Sequence, residues 1–203
     1  MKIGLQTWGS DGDIRPFLAL AGGLSKAGHD VSIVITSVEQ RDYTHFGKEL
    51  GITVSHVGKL EYSESRLAEL ILKLSRTRIP AKQIQMVFEE YLFPVADEMY
   101  TAALELCTTH DALIGHSIHY PAQAAAQKKD KPYISVSLYH KGVESRYITP
   151  DMSPNIGNWA NPLWWKLANL VIDKTFRLPI NQFRGKHGLP NLVRWECRAG
   201  ETT

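Results

Sequence analysis

Two carboxylates in a short glycine-containing segment are the residues with the clearest capacity for chemistry. Asp11 and Asp13 lie within residues 9–15, directly after the apolar run at residues 3–8. A carboxylate on the floor of a cleft is a suitable general base for a hydroxyl group. Aspartate is also among the best helix N-caps, so Asp13 can equally begin the helix that follows. Taken alone, the residues favour the cap, although one side chain can serve in both roles.

A phosphate-binding loop is the other chemistry that such a segment suggests, and the sequence disfavours it. Gly9 and Gly12 have the wrong spacing for G-x-G-x-x-G, and no Lys-Ser/Thr pair follows as in a P-loop. Two unit charges about 4 Å apart repel by about 4 kcal/mol at an effective dielectric constant of 20, so a phosphate beside two carboxylates would be resisted. The segment is therefore expected to supply negative charge itself.

A second polar group follows a later strand-like run. His116, Ser117 and His119 stand after residues 111–115. No third cysteine, histidine or carboxylate lies at a metal-binding spacing, so a metal site is not predicted. The three residues are candidates for lining a substrate site. A helix-capping or buried structural role is the alternative for the histidines.

Five runs of strand length alternate with helical patterns and must position these residues. The predicted strands are residues 3–8, 31–35, 52–57, 111–115 and 132–137, and the predicted helices among them are residues 14–28, 39–50 and 119–129. Such alternation implies parallel strands joined by right-handed crossovers. The predicted fold class is therefore α/β, with a doubly wound, mainly parallel sheet. Ligands of such sheets gather at the carboxyl ends of the strands, where both polar groups stand.

A helical insert at about residues 60–107 interrupts the alternation. Apolar residues recur at helical spacing over residues 63–76 and 81–107, and Pro94 is expected to kink or divide the second helix. A last amphipathic helix, which contains Trp164, Leu167, Leu170 and Val171, follows an irregular stretch at residues 138–162. Trp159, Trp164 and Trp165 form an aromatic cluster around its start. Such a cluster can line a substrate site or touch a membrane surface. Packing against a neighbouring domain is the preferred interpretation.

The composition of the chain argues against several classes of protein. The 203 residues are 43% apolar and carry a net charge of +2. No basic stripe of the kind that binds nucleic acid is present. The two cysteines form no CxxC pair, which fits a reducing cytoplasm. Neither a signal-peptide core nor an apolar run of about 18 residues is present, so any membrane contact is expected to be peripheral, on the inner surface.

The opening of the chain resembles the glycosyltransferase family 28 N-terminal domain. Residues 9–21 are GSDGDIRPFLALA and residues 24–31 are LSKAGHDV. The family's usual opening is Gly-Ser-Arg-Gly-Asp, then a hydrophobic residue, a polar residue and proline, followed by a helix that ends in Ala-Gly-His. Supporting similarities follow in the family's order, and they are DALI at 111–114, PYI at 132–134, NQFR at 181–184 and GLP at 188–190. Asp11 departs from the pattern, because arginine is common there.

This resemblance implies a Rossmann-like N-terminal half of a two-domain GT-B glycosyltransferase. Residues 1–190 would bind the acceptor, and residues 191–203 would begin an interdomain linker or a disordered tail. The donor-binding domain, absent from this sequence, would be supplied in cis or in trans. Asp13 matches the family's base position, while Gly9, Ser10 and Gly12 would shape the loop and offer N–H groups to the donor's phosphates. An ordinary tight turn is an equal alternative for those three residues.

The implied reaction is inverting transfer of a hexose from a nucleotide-diphospho-sugar, such as a UDP-sugar, to a hydroxyl of a lipid, sterol or small molecule. The nucleotide-sugar is a co-substrate, and no cofactor is implied. We expect the chain alone to be inactive. Two alternatives stay open: the acceptor subunit of a split, two-chain enzyme, and a non-catalytic module that binds a lipid or glycoside.

Overall fold

The computed structural model describes residues 1–60, 62, 64–77, 79–139, 143–150, 153–155 and 157–194, apart from the side chains of residues 64, 67, 71, 80 and 81. These residues form two compact units. One comprises Met1–Leu60 and Pro94–Leu138, and the other comprises the described residues within Glu61–Phe93 and Tyr139–Arg198. We refer to them as the sheet unit and the helical unit. Residues 195–203 of the predicted linker or tail lie outside the described residues.

The sheet unit contains five parallel strands. They are β1 (Lys2–Gly9), β2 (Asp30–Ser37), β3 (Thr53–His56), β4 (Ala112–His116) and β5 (Tyr133–Val136). Their order is β3-β2-β1-β4-β5, and each neighbouring pair is parallel. The chain leaves β1 toward β2 and leaves β4 toward β5, so the strand order reverses between β1 and β4. This is the switch point at which doubly wound sheets bind ligands, and the predicted fold class is confirmed.

Seven α-helices are present in the described residues. They are α1 (Asp11–Lys26), α2 (His45–Leu50), α3 (Glu64–Arg76), α4 (Pro80–Val87), α5 (Ala96–Thr109), α6 (Tyr120–Lys128) and α7 (Asn161–Lys186). Between α4 and α5 the chain forms a π-helical turn, Phe88–Leu92, and a 3-10 turn, Phe93–Val95. Pro94 lies in that second turn, so the predicted division of the helix at 81–107 is confirmed. Within the predicted insert, residues 60–107, α5 belongs to the sheet unit and α3 and α4 to the helical unit.

Helices cover both faces of the sheet and bury its strands. On one face, Ile14 and Phe17 of α1 pack with Leu5 and Ile33 in the main apolar core. On the other face, α5 approaches β1 so closely that a side chain at Gly4 would stand 3.2 Å from Leu106. Side chains on both faces of the sheet therefore pack against β1 at Gly4 and Leu5.

Two predicted helices have different bounds in the structure. The helix predicted at 14–28 begins at Asp11, so Pro16 lies in its second turn and not its first. The helix predicted at 39–50 is only α2, because residues 39–44 form a loop. There Gln40 has a positive φ of 55°, and the Asp42 carboxylate accepts hydrogen bonds from the N–H and hydroxyl of Thr44. Such local bonds compete with helix formation.

The helical unit packs aromatic side chains around α7. Phe88 and Phe176 are both buried, with ring centroids 4.6 Å apart. Trp165 is buried, and its Nε1 donates a hydrogen bond of 2.7 Å to the carbonyl of Ile148. Packing thus accounts for Trp165, whereas Trp159 is 78% exposed. None of the described helices combines the length and the apolar character needed to cross a bilayer.

Candidate functional site

Asp13 lies at the switch point and is held by the turn that follows β1. Ser10 is the N-cap of α1, and Asp13 is the third residue of the helix. Its Oδ2 accepts hydrogen bonds from the backbone N–H of Ser10 at 3.0 Å and from the Ser10 hydroxyl at 3.1 Å. Ser10 and not Asp13 is therefore the N-cap, but Asp13 does cap the helix, as its residue type suggested. Its carboxylate folds back over the helix end, as the third residue of a capping box does.

The other carboxylate oxygen of Asp13 is open to a reaction partner. Among the described residues, Oδ1 has no hydrogen-bond partner, and the residue is half-exposed. Gly9 lies against the carboxylate with a φ of 127°, and a Cβ there would stand 2.3 Å from Oδ2. Gly12 is different, because its nearest neighbour would lie 3.7 Å from a Cβ. Of the two glycines, only Gly9 is required by the geometry of Asp13.

Asp11 is bound by three side chains that the sequence analysis did not connect with it. Its carboxylate accepts hydrogen bonds from the Tyr43 hydroxyl and from Arg41, both at 2.5 Å, and from Arg15 at 3.2 Å. Tyr43 is buried, and Arg41 is exposed. The two residues come from the loop after β2, more than 25 positions from Asp11. No periodicity in the sequence could have indicated these contacts.

This network changes the electrostatics expected for the segment. The hydrogen bond from Tyr43, with the charges of Arg15 and Arg41, holds the pKa of the Asp11 carboxyl below its ordinary value of 3.8. Burial and the bond to Asp11 raise the pKa of Tyr43 to about 12. Arg15 and Arg41 therefore pair with Asp11, and Arg41 also pairs with Glu39 at 2.6 Å. Because Asp11 is paired, it repels a nearby phosphate less than the free carboxylate that the sequence suggested.

Replacing Tyr43 by phenylalanine is expected to raise the pKa of Asp11 toward 3.8, since the Tyr43 hydroxyl makes the largest contribution to its lowering. A carboxyl with a lowered folded-state pKa stabilises the fold above its unfolded-state pKa, and that contribution fades as the pH falls through the folded-state value. The stability gained as the pH rises through the acid range toward 3.8 should therefore shrink in Tyr43→Phe. NMR titration of the carboxyl carbon and urea denaturation across this range measure both effects. Tyr147→Phe, at an exposed tyrosine, is the matched control and should change neither.

His116 ends β4, on the other side of the switch point from β1. Its ring stacks on Phe17 with centroids 6.4 Å apart, and its Nδ1 accepts the N–H of Ile118 at 3.3 Å. Burial lowers the pKa of His116, while the negative charge of Asp13 opposes that shift. The ring is thus neutral near pH 7, with Nδ1 accepting and Nε2 carrying the proton. The structure places this donor within the electrostatic reach of Asp13.

Ser117 and His119 lie deeper than His116. Both are buried, and the carbonyl of Ser117 accepts the side-chain amide of Gln123 at 3.2 Å. His119 is the N-cap of α6, where its Nδ1 accepts the N–H of Ala122 at 3.2 Å. Its observed role is therefore helix capping, one of the two roles that the sequence left open. Contact between His119 and a substrate would require this cap to open.

Substitution of His119 by asparagine should flatten the loss of stability on acidification. Burial lowers the pKa of His119 to about 3, so between pH 3 and 6.5 the unfolded chain binds a proton that the folded chain does not. This difference in proton binding makes the folded state less stable as the pH is lowered from 6.5 to 3, by at most about 1.4 kcal/mol per pH unit. Asparagine keeps a capping oxygen without titrating. Urea denaturation at several pH values compares His119→Asn with His45→Asn, an exposed control that should retain the wild-type slope.

A cavity of about 510 Å³ lies at the carboxyl ends of β2 and β3. Its wall includes Arg41 and Lys59 as cations, Asp42 and Glu98 as anions, and His56. Asp13 is not among the lining residues. Arg41 therefore belongs both to this wall and to the network around Asp11, which links the cavity to the turn after β1. No motif in the sequence predicted this cavity.

Comparison with known proteins assigns this architecture. Residues 3–131 match the sequence profile of the glycosyltransferase family 28 N-terminal domain. The chain belongs to this family. The match covers β1 to β4, the switch point and the turn that carries Asp13, so the resemblance predicted from the opening segment is confirmed.

Individual relatives match at lower similarity or over shorter stretches. A sterol 3-beta-glucosyltransferase of Saccharomyces cerevisiae (strain YJM789) is 52% identical over 42 residues, which is 21% of this chain and 3% of that enzyme. The calicheamicin glycosyltransferase CalG4 is 16% identical with a TM-score of 0.55, over 93% of this chain and 43% of that one. SsfS6 from Streptomyces sp. SF2575, in complex with thymidine diphosphate, is 16% identical with a TM-score of 0.53, over 94% and 46%. These structures share the fold, and this chain spans less than half of their length.

Proposed function

We propose that this domain binds the acceptor in an inverting hexosyltransferase, with Asp13 as the general base. The observation that supports this most directly is the state of the Asp13 carboxylate. One oxygen is fixed by two hydrogen bonds from Ser10, and the other is open at the switch point of the sheet. A carboxylate that is oriented by hydrogen bonds to one oxygen, and whose other oxygen makes none, is suited to accept a proton from a hydroxyl group.

The proposed step is a single displacement at the anomeric carbon. The acceptor oxygen attacks this carbon, its proton passes to Oδ1 of Asp13, and the bond from the sugar to the diphosphate breaks with its electron pair on the leaving phosphate. Neutral His116 lies on the same side and can donate from Nε2 to the acceptor. Ser117 and His119 then support the wall of the site behind it, since both are buried.

Donor binding is proposed to use the end of α1 together with a separate donor domain, in cis or in trans. The N–H groups of the first turn of a helix attract phosphate. The pairing of Asp11 with Arg15 and Arg41 reduces the repulsion that would oppose it. A nucleotide-diphospho-sugar, for example a UDP- or TDP-sugar, is the proposed co-substrate, in keeping with the thymidine diphosphate bound by SsfS6.

The proposed acceptor is a hydroxyl of a sterol, another lipid or a small hydrophobic molecule. The yeast relative is a sterol glucosyltransferase and CalG4 is a calicheamicin glycosyltransferase. The cytoplasm is the proposed compartment, because Cys107 is a free thiol and reducing compartments keep thiols free. Residues 1–190 are the proposed acceptor domain.

The proposal is tested by joining this chain to a family donor domain, as a fusion or as a co-expressed chain. UDP-glucose and TDP-glucose are supplied with a sterol, and product formation is followed by mass spectrometry. Transfer that requires both parts, with inversion at the anomeric carbon, supports the proposal. Acceptor binding by this chain without transfer in any pairing would instead favour a non-catalytic binding module. Turnover by this chain alone would contradict the requirement for a donor domain.

A further inference from the structure

Helix α7 of the helical unit has an apolar face exposed to solvent. Leu163, Leu170 and Leu178 are 58%, 56% and 67% exposed. Leu167 and Val171 stand between them at helical spacing and are exposed as well. Residues spaced by three, four, seven and eight positions lie along one side of a helix. We call these five residues the outer stripe.

The outer stripe is not the face by which α7 packs into its unit. Trp165, Phe176, Ile180 and Phe183 are the buried apolar residues of the helix. They lie roughly opposite the stripe, at 100° per residue. A helix that is apolar on two faces needs a second apolar environment, and a large exposed apolar patch marks an interaction site.

The charged residues around the outer stripe indicate the charge of the surface that it contacts. Residues 161–186 contain five lysines and arginines and one acid, Asp173. That acid is buried and pairs with Arg177 at 3.3 Å, and Arg184 is buried as well, so the three lysines carry the net surface charge of the helix. Lys166 and Lys174 are exposed, Lys166 beside the stripe and Lys174 within it. Trp159, 78% exposed, stands just before the helix.

We propose that α7 lies on the surface of a bilayer that contains anionic lipid, with the outer stripe in the acyl boundary and its lysines among the headgroups. A basic amphipathic helix with leucine and tryptophan on its apolar face binds membranes in this way. Lys174 can extend its amine to the headgroups while its stem lies along the apolar surface. This inference is independent of the transfer reaction and of Asp13.

Protein partners fit the same surface less well. A second copy would bring Lys166 and Lys174 against the same cations of its partner helix. A dissimilar domain would have to bury Lys174 at the centre of the contact, where charged residues are depleted in protein interfaces. Anionic headgroups balance both lysines without burying either.

Vesicle binding by the 203-residue chain tests the apolar component. Sedimentation with vesicles of phosphatidylcholine and phosphatidylglycerol should recover the wild type, and Leu163→Gln/Leu170→Gln should weaken binding at least about tenfold, because two leucines leave the acyl boundary. The control Leu72→Gln/Ile84→Gln removes two exposed apolar side chains from α3 and α4 and should bind as the wild type.

The charge component is tested in the same vesicles. Lys166→Gln/Lys174→Gln should bind about 25-fold more weakly, since each lysine near an anionic surface is worth about fivefold. Lys26→Gln/Lys48→Gln removes two exposed lysines from α1 and α2 and should leave binding unchanged. Added salt should weaken the wild type and have little effect on the Lys166→Gln/Lys174→Gln variant.

Tryptophan fluorescence of the wild-type chain tests membrane binding without a disruptive substitution. Trp159 fluorescence should shift to shorter wavelength on addition of anionic vesicles, and the conservative Trp159→Phe variant should lose that shift. Absence of wild-type binding, or equal loss in the stripe variant and its control, would overturn the proposal. So would an outer-stripe variant that changes the oligomeric state of the chain while vesicle binding persists, since the stripe would then cover another copy.

Discussion

Replacement of Asp13 by asparagine is expected to lower kcat by about 10²- to 10⁴-fold in this chain paired with its donor domain, the range that a general base contributes. Asparagine has the same shape, and its Oδ1 can still accept the hydrogen bonds that Ser10 donates to Asp13. The turn should therefore keep its geometry while losing the group that takes the proton. Initial rates over a range of acceptor concentrations measure the effect.

The kinetic pattern separates a base from a binding residue. Loss of an interaction made only in the transition state lowers kcat and kcat/KM together, whereas loss of ground-state binding raises KM. Asp30→Asn is the matched control, because it changes an exposed aspartate at the opposite end of the sheet and should retain wild-type rates. Wild-type kcat in Asp13→Asn, with an unchanged urea midpoint, would rule out Asp13 as the base.

Much of the fold follows from local patterns in the sequence. The run VSIVI at 31–35 predicts β2, and the apolar spacing after Asp13 predicts α1, because each element buries residues at its own period. Alternation of such elements requires parallel strands, and right-handed crossovers place Asp13 and His116 at one edge of the sheet. Family resemblance then assigned a role to Asp13 that its residue type alone left open.

The parts that escaped prediction depend on contacts between distant residues. Arg41 and Tyr43 bind Asp11 from 30 and 32 positions away, inside a segment predicted to be helical. His119 follows His116 by three positions, yet the turn into α6 buries it completely. Tertiary packing decides the outcome at such positions, and neither charge nor periodicity encodes it locally.

Gly9→Ala is expected to reduce activity nearly as much as loss of the base itself. At Gly9 a methyl group would stand 2.3 Å from the Asp13 carboxylate and 2.8 Å from its carbon, so the carboxylate must move. A displacement of about 1 Å at a reacting group can cost about 10²-fold in rate. The positive φ of 127° adds a stability cost of about 1–3 kcal/mol for any residue with a side chain.

Two further glycines allow the displacement of Asp13 to be separated from backbone strain. Gly28→Ala also forces a side chain into a positive φ, 88°, but nothing lies within 4 Å of the new methyl group. It should lose stability in urea denaturation while the transfer rate stays at the wild-type value. Gly23→Ala lies inside α1 with open space around it and should raise stability by about 0.5–1 kcal/mol. Equal activity of Gly9→Ala and Gly28→Ala would contradict this prediction. The position of the Asp13 carboxylate would then not control the rate, and the contact with Gly9 would affect only the conformation of the turn.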